Sequence, residues 1–100
     1  MKPTKEKIIA YLSEKKDEFF INYRIEKLGL FGSFARNEES ESSDIDLLIE
    51  FLPETNNLLE KKMEIKDKIK REFNREVDLC REKYIKPYYK NQILKSVIYV

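Results

Sequence analysis

The segment 44–51, with the sequence DIDLLIEF, constrains the fold more than any other part of this chain. Its odd-numbered positions are all large and apolar, whereas three of its four even-numbered positions are acidic. Side chains alternate between the two faces of a β-strand, so this pattern predicts a strand with one face in the core. Asp is depleted in strands. The presence of both Asp44 and Asp46 on the second face therefore points to a role beyond folding.

Segments with helical spacing surround this strand, and shorter apolar runs alternate with them. This order predicts an α/β fold in which α-helices pack on a small β-sheet. One hundred residues suit a single domain, which we expect to span residues 1–100. The predicted elements are a helix from Thr4 to Tyr23, a strand over 25–31, a short helix over 33–36, the strand over 44–51, a helix over 56–73, a strand over 76–80, and a final helix, or a helix and a tail, over 84–100.

Composition excludes several kinds of chemistry. The sequence contains no histidine, which rules out Ser-His-Asp and Cys-His catalysis and zinc sites that use histidine. A single cysteine, Cys80, cannot form an internal disulfide, so we expect a reducing compartment, the cytoplasm. The net charge of +1 predicts no direct nucleic-acid binding, and no apolar run approaches the roughly 20 residues that a membrane helix needs.

A third aspartate extends the pattern of acidic residues in strands. Asp78 lies in the predicted strand 76–80, on the face opposite the apolar residues of that strand. If the two strands are neighbours, three carboxylates converge, and like charges about 4 Å apart repel by roughly 4 kcal/mol. A hard divalent cation such as Mg²⁺ or Mn²⁺ would relieve that repulsion. In the alternative interpretation Asp44 caps a turn, the other two carboxylates face solvent, and no site exists.

The segment 29–36, GLFGSFAR, changes the balance between these interpretations. It predicts a strand, then Gly32 and Ser33, then the short helix. A glycine allows the backbone to approach a ligand closely, and amides at the start of a helix suit a phosphate. A phosphate cradle beside a carboxylate cluster indicates nucleotide chemistry that depends on a divalent metal.

The sequence 32–51, GSFARNEESESSDIDLLIEF, resembles the signature of the minimal nucleotidyltransferases (MNT) of the DNA polymerase beta superfamily. That signature has a Gly-Ser pair, an Arg three residues after the Ser, and then Ser-Asp-x-Asp-Leu. A Val-Asp-Leu strand after a helix also belongs to the family and matches 77–79. In one departure, Asn37 stands where a Gly often follows the Arg, but Asn tolerates the left-handed conformation well. The residues that match are Gly32, Ser33, Arg36, Ser43, Asp44, Asp46, Leu47, Val77, Asp78 and Leu79.

The resemblance implies a DNA polymerase beta-like fold with a small mixed β-sheet, and an enzyme that uses ATP as its substrate. It also implies Mg²⁺, two ions in the family pattern, with Mn²⁺ as a substitute. Asp44 and Asp46 would hold the metals that bridge the triphosphate, and Asp78, with the second metal, would help to activate the acceptor hydroxyl.

The resemblance further implies a role in nucleotide binding for the residues around the Gly-Ser pair. Gly32 and Ser33 would contact the triphosphate. Arg36 would support the phosphates, although a surface ion pair with Glu38 or Glu39 is an equally good interpretation of its position.

A protein partner is also implied by the resemblance. MNT proteins of this kind are typically encoded beside a small helical HEPN protein, which is an RNase toxin, and the MNT protein is the antitoxin that adenylylates a toxin tyrosine. Larger relatives hold their acceptors with extra domains, so we expect another molecule to supply the acceptor here. We therefore expect a protein adenylyltransferase. The alternatives are an antitoxin that acts by binding only and a nucleotidyltransferase that modifies a small-molecule hydroxyl.

Overall fold

The computed structural model describes residues 2–100, and the first six elements of the sequence prediction are present with boundaries shifted by at most two residues. Within these residues no helix is both long enough and apolar enough to cross a membrane. The elements in chain order are α1 (Lys5–Tyr23), β1 (Ile25–Phe31), α2 (Gly32–Ala35), β2 (Ile45–Phe51), α3 (Leu58–Phe73), β3 (Val77–Arg81), a 3-10 turn (Glu82–Tyr84), α4 (Pro87–Ser96) and β4 (Ile98–Tyr99).

The four strands form one mixed sheet in the order β3-β2-β1-β4. β1 runs antiparallel to both β2 and β4, whereas β2 and β3 are parallel. The parallel pair is the part of the sheet that matters for the site, because its two strands carry the predicted aspartates. β3 is an edge strand, bonded within the sheet to β2 alone.

The C-terminal strand β4 was not predicted, and the expectation of a helix or a helix and tail over 84–100 is corrected here. Helix α4 ends at Ser96, and the two residues of β4 then pair with Gly29 and Leu30 of β1. A Cβ atom at Gly29 would lie 2.7 Å from Cγ1 of Val97. The chain end therefore packs here because Gly29 has no side chain.

Helices α1 and α3 cover one face of the sheet and form the hydrophobic core with it. Buried side chains occur at helical spacing in both helices, as the sequence predicted. In β2 the odd-numbered face enters this core, and Asp46 and Glu50 lie on the opposite face. The core side chains from these three elements are Ile8, Leu12, Phe19 and Tyr23 of α1, Ile65, Ile69 and Phe73 of α3, and Ile45, Leu47, Ile49 and Phe51 of β2.

Candidate active site

Two of the predicted carboxylates lie side by side across the β2–β3 pair. Asp46 and Asp78 are register partners in this parallel ladder. Adjacent strands are about 4.8 Å apart, and paired residues project from the same face. Asp46 is half-buried, whereas Asp78, on the edge strand, is exposed. The sheet therefore presents one sheltered and one accessible carboxylate on the face away from the core.

Asp46 is the most perturbed acid of the site. Its pKa is raised from the ordinary value of 3.8 to about 6. Partial burial is the largest cause, because it disfavours the charged form, and the negative charges of Asp78 and Asp44 add to the effect. The positive charge of Arg36 acts in the opposite direction. The carboxylates thus repel one another without full compensation from the protein.

Asp44 lies immediately before β2 and is outside the hydrogen-bond ladder of the sheet. Its side chain is exposed, and its charge is felt at Asp46. Across residues 2–100, no three acidic or cysteine side chains are grouped so that they could hold a metal ion as they stand. The three aspartates are neighbours but do not form a closed set of ligands in this arrangement.

The donor atoms of these aspartates nevertheless fit a hard divalent cation. All of them are carboxylate oxygens, the ligand type that Mg²⁺ and Mn²⁺ prefer. Burial is the first cause of the raised pKa of Asp46, and the second is the negative charge of Asp78 and Asp44, which a cation would neutralise. The chemistry of the site therefore agrees with the cation that the sequence predicted.

Gly32 packs directly against Asp46. It has a positive φ of 76°, a conformation that residues with a Cβ atom rarely adopt. A Cβ atom at this position would collide with Oδ2 of Asp46 and would lie 2.9 Å from its Cγ. The position therefore requires glycine for two reasons, and the first turn of α2 is held beside the carboxylate.

The residues after Gly32 complete the Gly-Ser segment. Ser33 is half-buried in the first turn of α2. Arg36 ends this helix, and its Nε donates to Oε2 of Glu38 at 3.1 Å, so the ion pair anticipated as an alternative is formed. Both side chains of this pair are about half exposed, where an ion pair contributes little stability.

Asn37 has a φ of 58°, the left-handed conformation expected of a residue that replaces glycine.

Two further features near Asp78 were not predicted from the sequence. Sγ of Cys80 donates to Oδ2 of Asp78 at 3.9 Å, and burial, with the two nearby aspartates, raises the pKa of the thiol. Lys62 and Lys66 of α3 line a cavity of about 240 Å³ together with Asp78. The spacing of Cys80 two residues after Asp78 could have indicated the first feature, whereas the second depends on how α3 packs.

A larger cavity, of about 600 Å³, lies at the opposite end of β2 and contains none of the three aspartates. Four of its charged side chains pair with one another: Arg81 with Glu50 at 2.6 Å, and Lys27 with Glu82 at 3.1 Å. Glu50 is about 13 Å from Asp46 along the strand. The size of this cavity therefore does not make it the reaction centre.

The carboxylates around Asp46 suit a divalent metal ion, which in turn could bind a phosphate, and an exposed carboxylate can accept a proton. The paired carboxylates suit a divalent ion, Gly32 brings the first turn of α2 directly against Asp46, and an exposed carboxylate lies at the edge. These are the elements that phosphoryl or nucleotidyl transfer requires.

Known proteins resemble this chain in sequence over most or all of its length. The family described as nucleotidyltransferase domain matches residues 5–100. MJ0126 of Methanocaldococcus jannaschii, named as a protein adenylyltransferase, is 36% identical over 106 aligned positions, which cover 97% of this chain and 98% of that protein. The protein adenylyltransferase MntA of Thermococcus cleftensis is 32% identical over 97 positions, covering 97% and 96%.

Solved structures share the fold. A structure of a minimal nucleotidyltransferase superposes with a TM-score of 0.77 at 25% identity, covering 96% of this chain and 95% of that one. A chain in a toxin–antitoxin structure with AMP-PNP has a TM-score of 0.65 at 20% identity, covering 97% and 72%, and this likeness concerns the fold alone. These comparisons confirm the predicted α/β fold, a small mixed sheet packed with helices.

Proposed function

The chain belongs to the nucleotidyltransferase domain family and is a nucleotidyltransferase, and from this premise we propose that it is an antitoxin that transfers AMP from ATP to a tyrosine of a HEPN-type toxin. Its reaction depends on Mg²⁺, for which Mn²⁺ substitutes. We place this ATP-consuming reaction in the cytoplasm, where a lone thiol such as that of Cys80 stays reduced.

The names of the relatives support AMP as the transferred group and a protein as the acceptor. Two relatives aligned over nearly the whole chain are named protein adenylyltransferases. A protein of the same fold was solved in a toxin–antitoxin complex with AMP-PNP, an ATP analogue. An antitoxin that modifies its toxin is the function that accounts for both observations.

The observation that carries the proposal is the registry of Asp46 with Asp78 beside the backbone of Gly32. The aspartates 44, 46 and 78 would hold the divalent metal, which would neutralise the charge of the triphosphate. Gly32 and Ser33 bind the triphosphate through backbone amides and a hydroxyl. Arg36 adds positive charge beside Asp46, and it reaches the phosphates if its exposed pairing with Glu38 opens.

In the proposed step, the hydroxyl oxygen of the toxin tyrosine attacks the α-phosphorus of ATP. A bond forms between that phosphorus and the tyrosine oxygen, the bond from phosphorus to the oxygen bridging to the β-phosphate breaks, and pyrophosphate leaves. A phenol has a pKa near 10, so its attack at neutral pH needs a proton acceptor. Asp78 is the exposed carboxylate at the edge of the sheet and takes that proton.

Binding of ATP should require the divalent cation. We expect Mg²⁺ or Mn²⁺ with ATP to raise the melting temperature, by about 5–10 °C at roughly ten times the Kd. ATP with EDTA should give a much smaller shift, because the carboxylates then repel the triphosphate. Differential scanning fluorimetry measures both, and equal shifts with and without metal would contradict the proposed cation site.

The acceptor is tested by mixing the protein, Mg-ATP and the product of a neighbouring gene that encodes a small helical protein, followed by intact mass spectrometry. We expect that partner to gain the mass of one or more AMP units on a tyrosine, with release of pyrophosphate. Asp78→Asn should remove the gain.

The other outcomes of this experiment separate the alternatives. A partner that is neutralised without a gain in mass would identify an antitoxin that acts by binding only. In a parallel reaction with a small-molecule alcohol in place of the partner, turnover of ATP there but not with the partner would identify an enzyme that modifies small molecules.

A further inference from the structure

Arg75 connects the segments that carry the site. It lies in the short link between α3 and β3, three residues before Asp78. Nη1 of Arg75 donates to the carbonyl oxygen of Ser43 at 2.8 Å and to that of Ser40 at 3.2 Å. Ser43 is the residue immediately before Asp44.

The loop that Arg75 contacts is a compact serine turn, residues 40–43. The amide of Ser43 donates to the carbonyl of Ser40 at 3.2 Å, and the amide of Ser40 donates to Oγ of Ser43 at 2.8 Å. The two carbonyls bound by Arg75 are therefore those at the two ends of the turn. A hydrogen bond from a charged donor is stronger than one from a neutral donor, so the guanidinium is a substantial part of what holds this exposed turn.

Arg75 also contacts helix α2, which begins at Gly32. Its guanidinium carbon lies 5.6 Å from the centre of the Phe34 ring, a cation–π contact with a buried residue of α2. The next residue, Glu76, accepts a hydrogen bond at 2.9 Å from the amide of Ile45, the residue after Asp44. The link 75–76 thus contacts α2, the turn before Asp44 and the first residue of β2.

The three aspartates differ in how they are held. Asp46 and Asp78 are fixed by the parallel register of β2 and β3. Asp44 precedes the first ladder residue, so the sheet does not fix its backbone on the N-terminal side. The contacts of Arg75 supply that constraint through Ser43.

We propose that Arg75 is a positioning residue for nucleotidyl transfer, which holds Asp44 in place relative to Asp46, Asp78 and the Gly32–Ser33 segment. The proposal rests on the divalent-metal role that the proposed function gives to Asp44, and not on the identity of the acceptor. Residues that orient metal-binding side chains typically change metal affinity 10–100-fold when they are replaced.

The test compares Arg75→Gln with Arg71→Gln. Arg71 is a matched control because it is an exposed arginine on α3 whose partner, Asp67, lies one helical turn away. Binding of Mn²⁺ in the presence of α,β-methylene ATP is measured by electron paramagnetic resonance. We expect Arg75→Gln to weaken Mn²⁺ binding about tenfold or more and Arg71→Gln to leave it unchanged.

Hydrogen–deuterium exchange on the metal-free proteins separates positioning from general destabilisation. In Arg75→Gln the amides of residues 40–45 should exchange faster, while those buried in α1 and α3 keep their rates. Added guanidinium ion should restore part of the Mn²⁺ affinity of Arg75→Gln, since it can occupy the same carbonyls.

Arg75→Lys provides a second variant should Arg75→Gln fold poorly. A lysine keeps the charge but cannot offer the same planar donors to two carbonyls, so an intermediate Mn²⁺ affinity is expected. Unchanged Mn²⁺ binding in both variants, or faster exchange throughout the chain with no guanidinium rescue, would overturn the proposal. Failure of the toxin-acceptor assay alone would leave it standing, because none of these measurements uses an acceptor.

Discussion

Asp46→Asn is expected to lower nucleotidyl transfer by about a thousandfold or more, because it removes a carboxylate that would hold the divalent cation against the triphosphate. The same change is expected to stabilise the metal-free protein at neutral pH. In the folded chain Asp46 has a pKa of about 6 against an ordinary value of 3.8, owing first to burial and then to Asp78 and Asp44. Folding therefore favours its protonated form, and the ionised form weakens the fold.

The sign of this effect predicts its pH dependence. Below pH 3.8 the carboxyl group is protonated in both folded and unfolded chains, and the variant should match the wild type. As pH rises from about 4 to 6 the wild type loses stability relative to Asp46→Asn, and above pH 6 the difference is complete. Because Asp46 is half exposed and screened by water, we expect about 1–2 kcal/mol.

Thermal unfolding in EDTA across this pH range measures the stability difference, and an assay of AMP transfer from ATP measures the loss of activity. Asp17→Asn is the control, since Asp17 is exposed on α1. Asp17→Asn should change neither the stability nor the transfer rate. An Asp46→Asn protein that retained transfer would contradict the assignment of this carboxylate to the active site. A stability difference independent of pH would contradict the stated cause of stabilisation.

Gly32→Ala is expected to reduce transfer by about a hundredfold or more, since a displacement of about 1 Å near reacting groups has effects of that size. The added Cβ atom would collide with Oδ2 of Asp46, and alanine would also have to adopt a φ of 76°. Either Asp46 moves or the first turn of α2 does, and each movement disrupts the contact between them. We expect about 1–3 kcal/mol of destabilisation as well.

Gly29→Ala is the matched control for loss of stability. Its added Cβ atom would approach Cγ1 of Val97 to 2.7 Å and the carbonyl oxygen of Ile98 to 3.2 Å, so it should loosen β4. We expect Gly29→Ala to lower the melting temperature about as much as Gly32→Ala does, but to retain most of the transfer rate. Equal losses of transfer in the two glycine variants would show that Gly32 acts only through stability.

The local features of β2 and its neighbours could be predicted because they depend on short-range patterns. Alternation in 44–51 was sufficient to assign the core face, which contains Ile45 and Leu47, and the acidic face, which contains Asp46. The prediction that Asp78 lies beside these acids depended on the two strands being neighbours, and the sheet places them so. Asp44 itself lies one residue outside the strand that was predicted to contain it.

Features that depend on long-range packing could not be predicted. Strand β4 has only two residues, and it exists because the chain end reaches Gly29, about 70 positions earlier. Arg75 looks like an ordinary charged residue in a helix–strand link, and its bonds to Ser40 and Ser43 span more than 30 residues. The pairing of Arg36 with Glu38 was anticipated only as one of two alternatives.

The position of β3 at the edge of the sheet has a consequence for how the enzyme responds to heat. Asp78 is held opposite Asp46 by a ladder of five residues that is bonded on one side only. Strands of this kind can detach in local openings whose free energy is well below that of global unfolding. Each opening separates the two carboxylates while α1, α3 and the remaining sheet stay folded. On warming, the catalytic rate should therefore begin to fall at a temperature where the bulk of the molecule is still native, and recover fully on cooling.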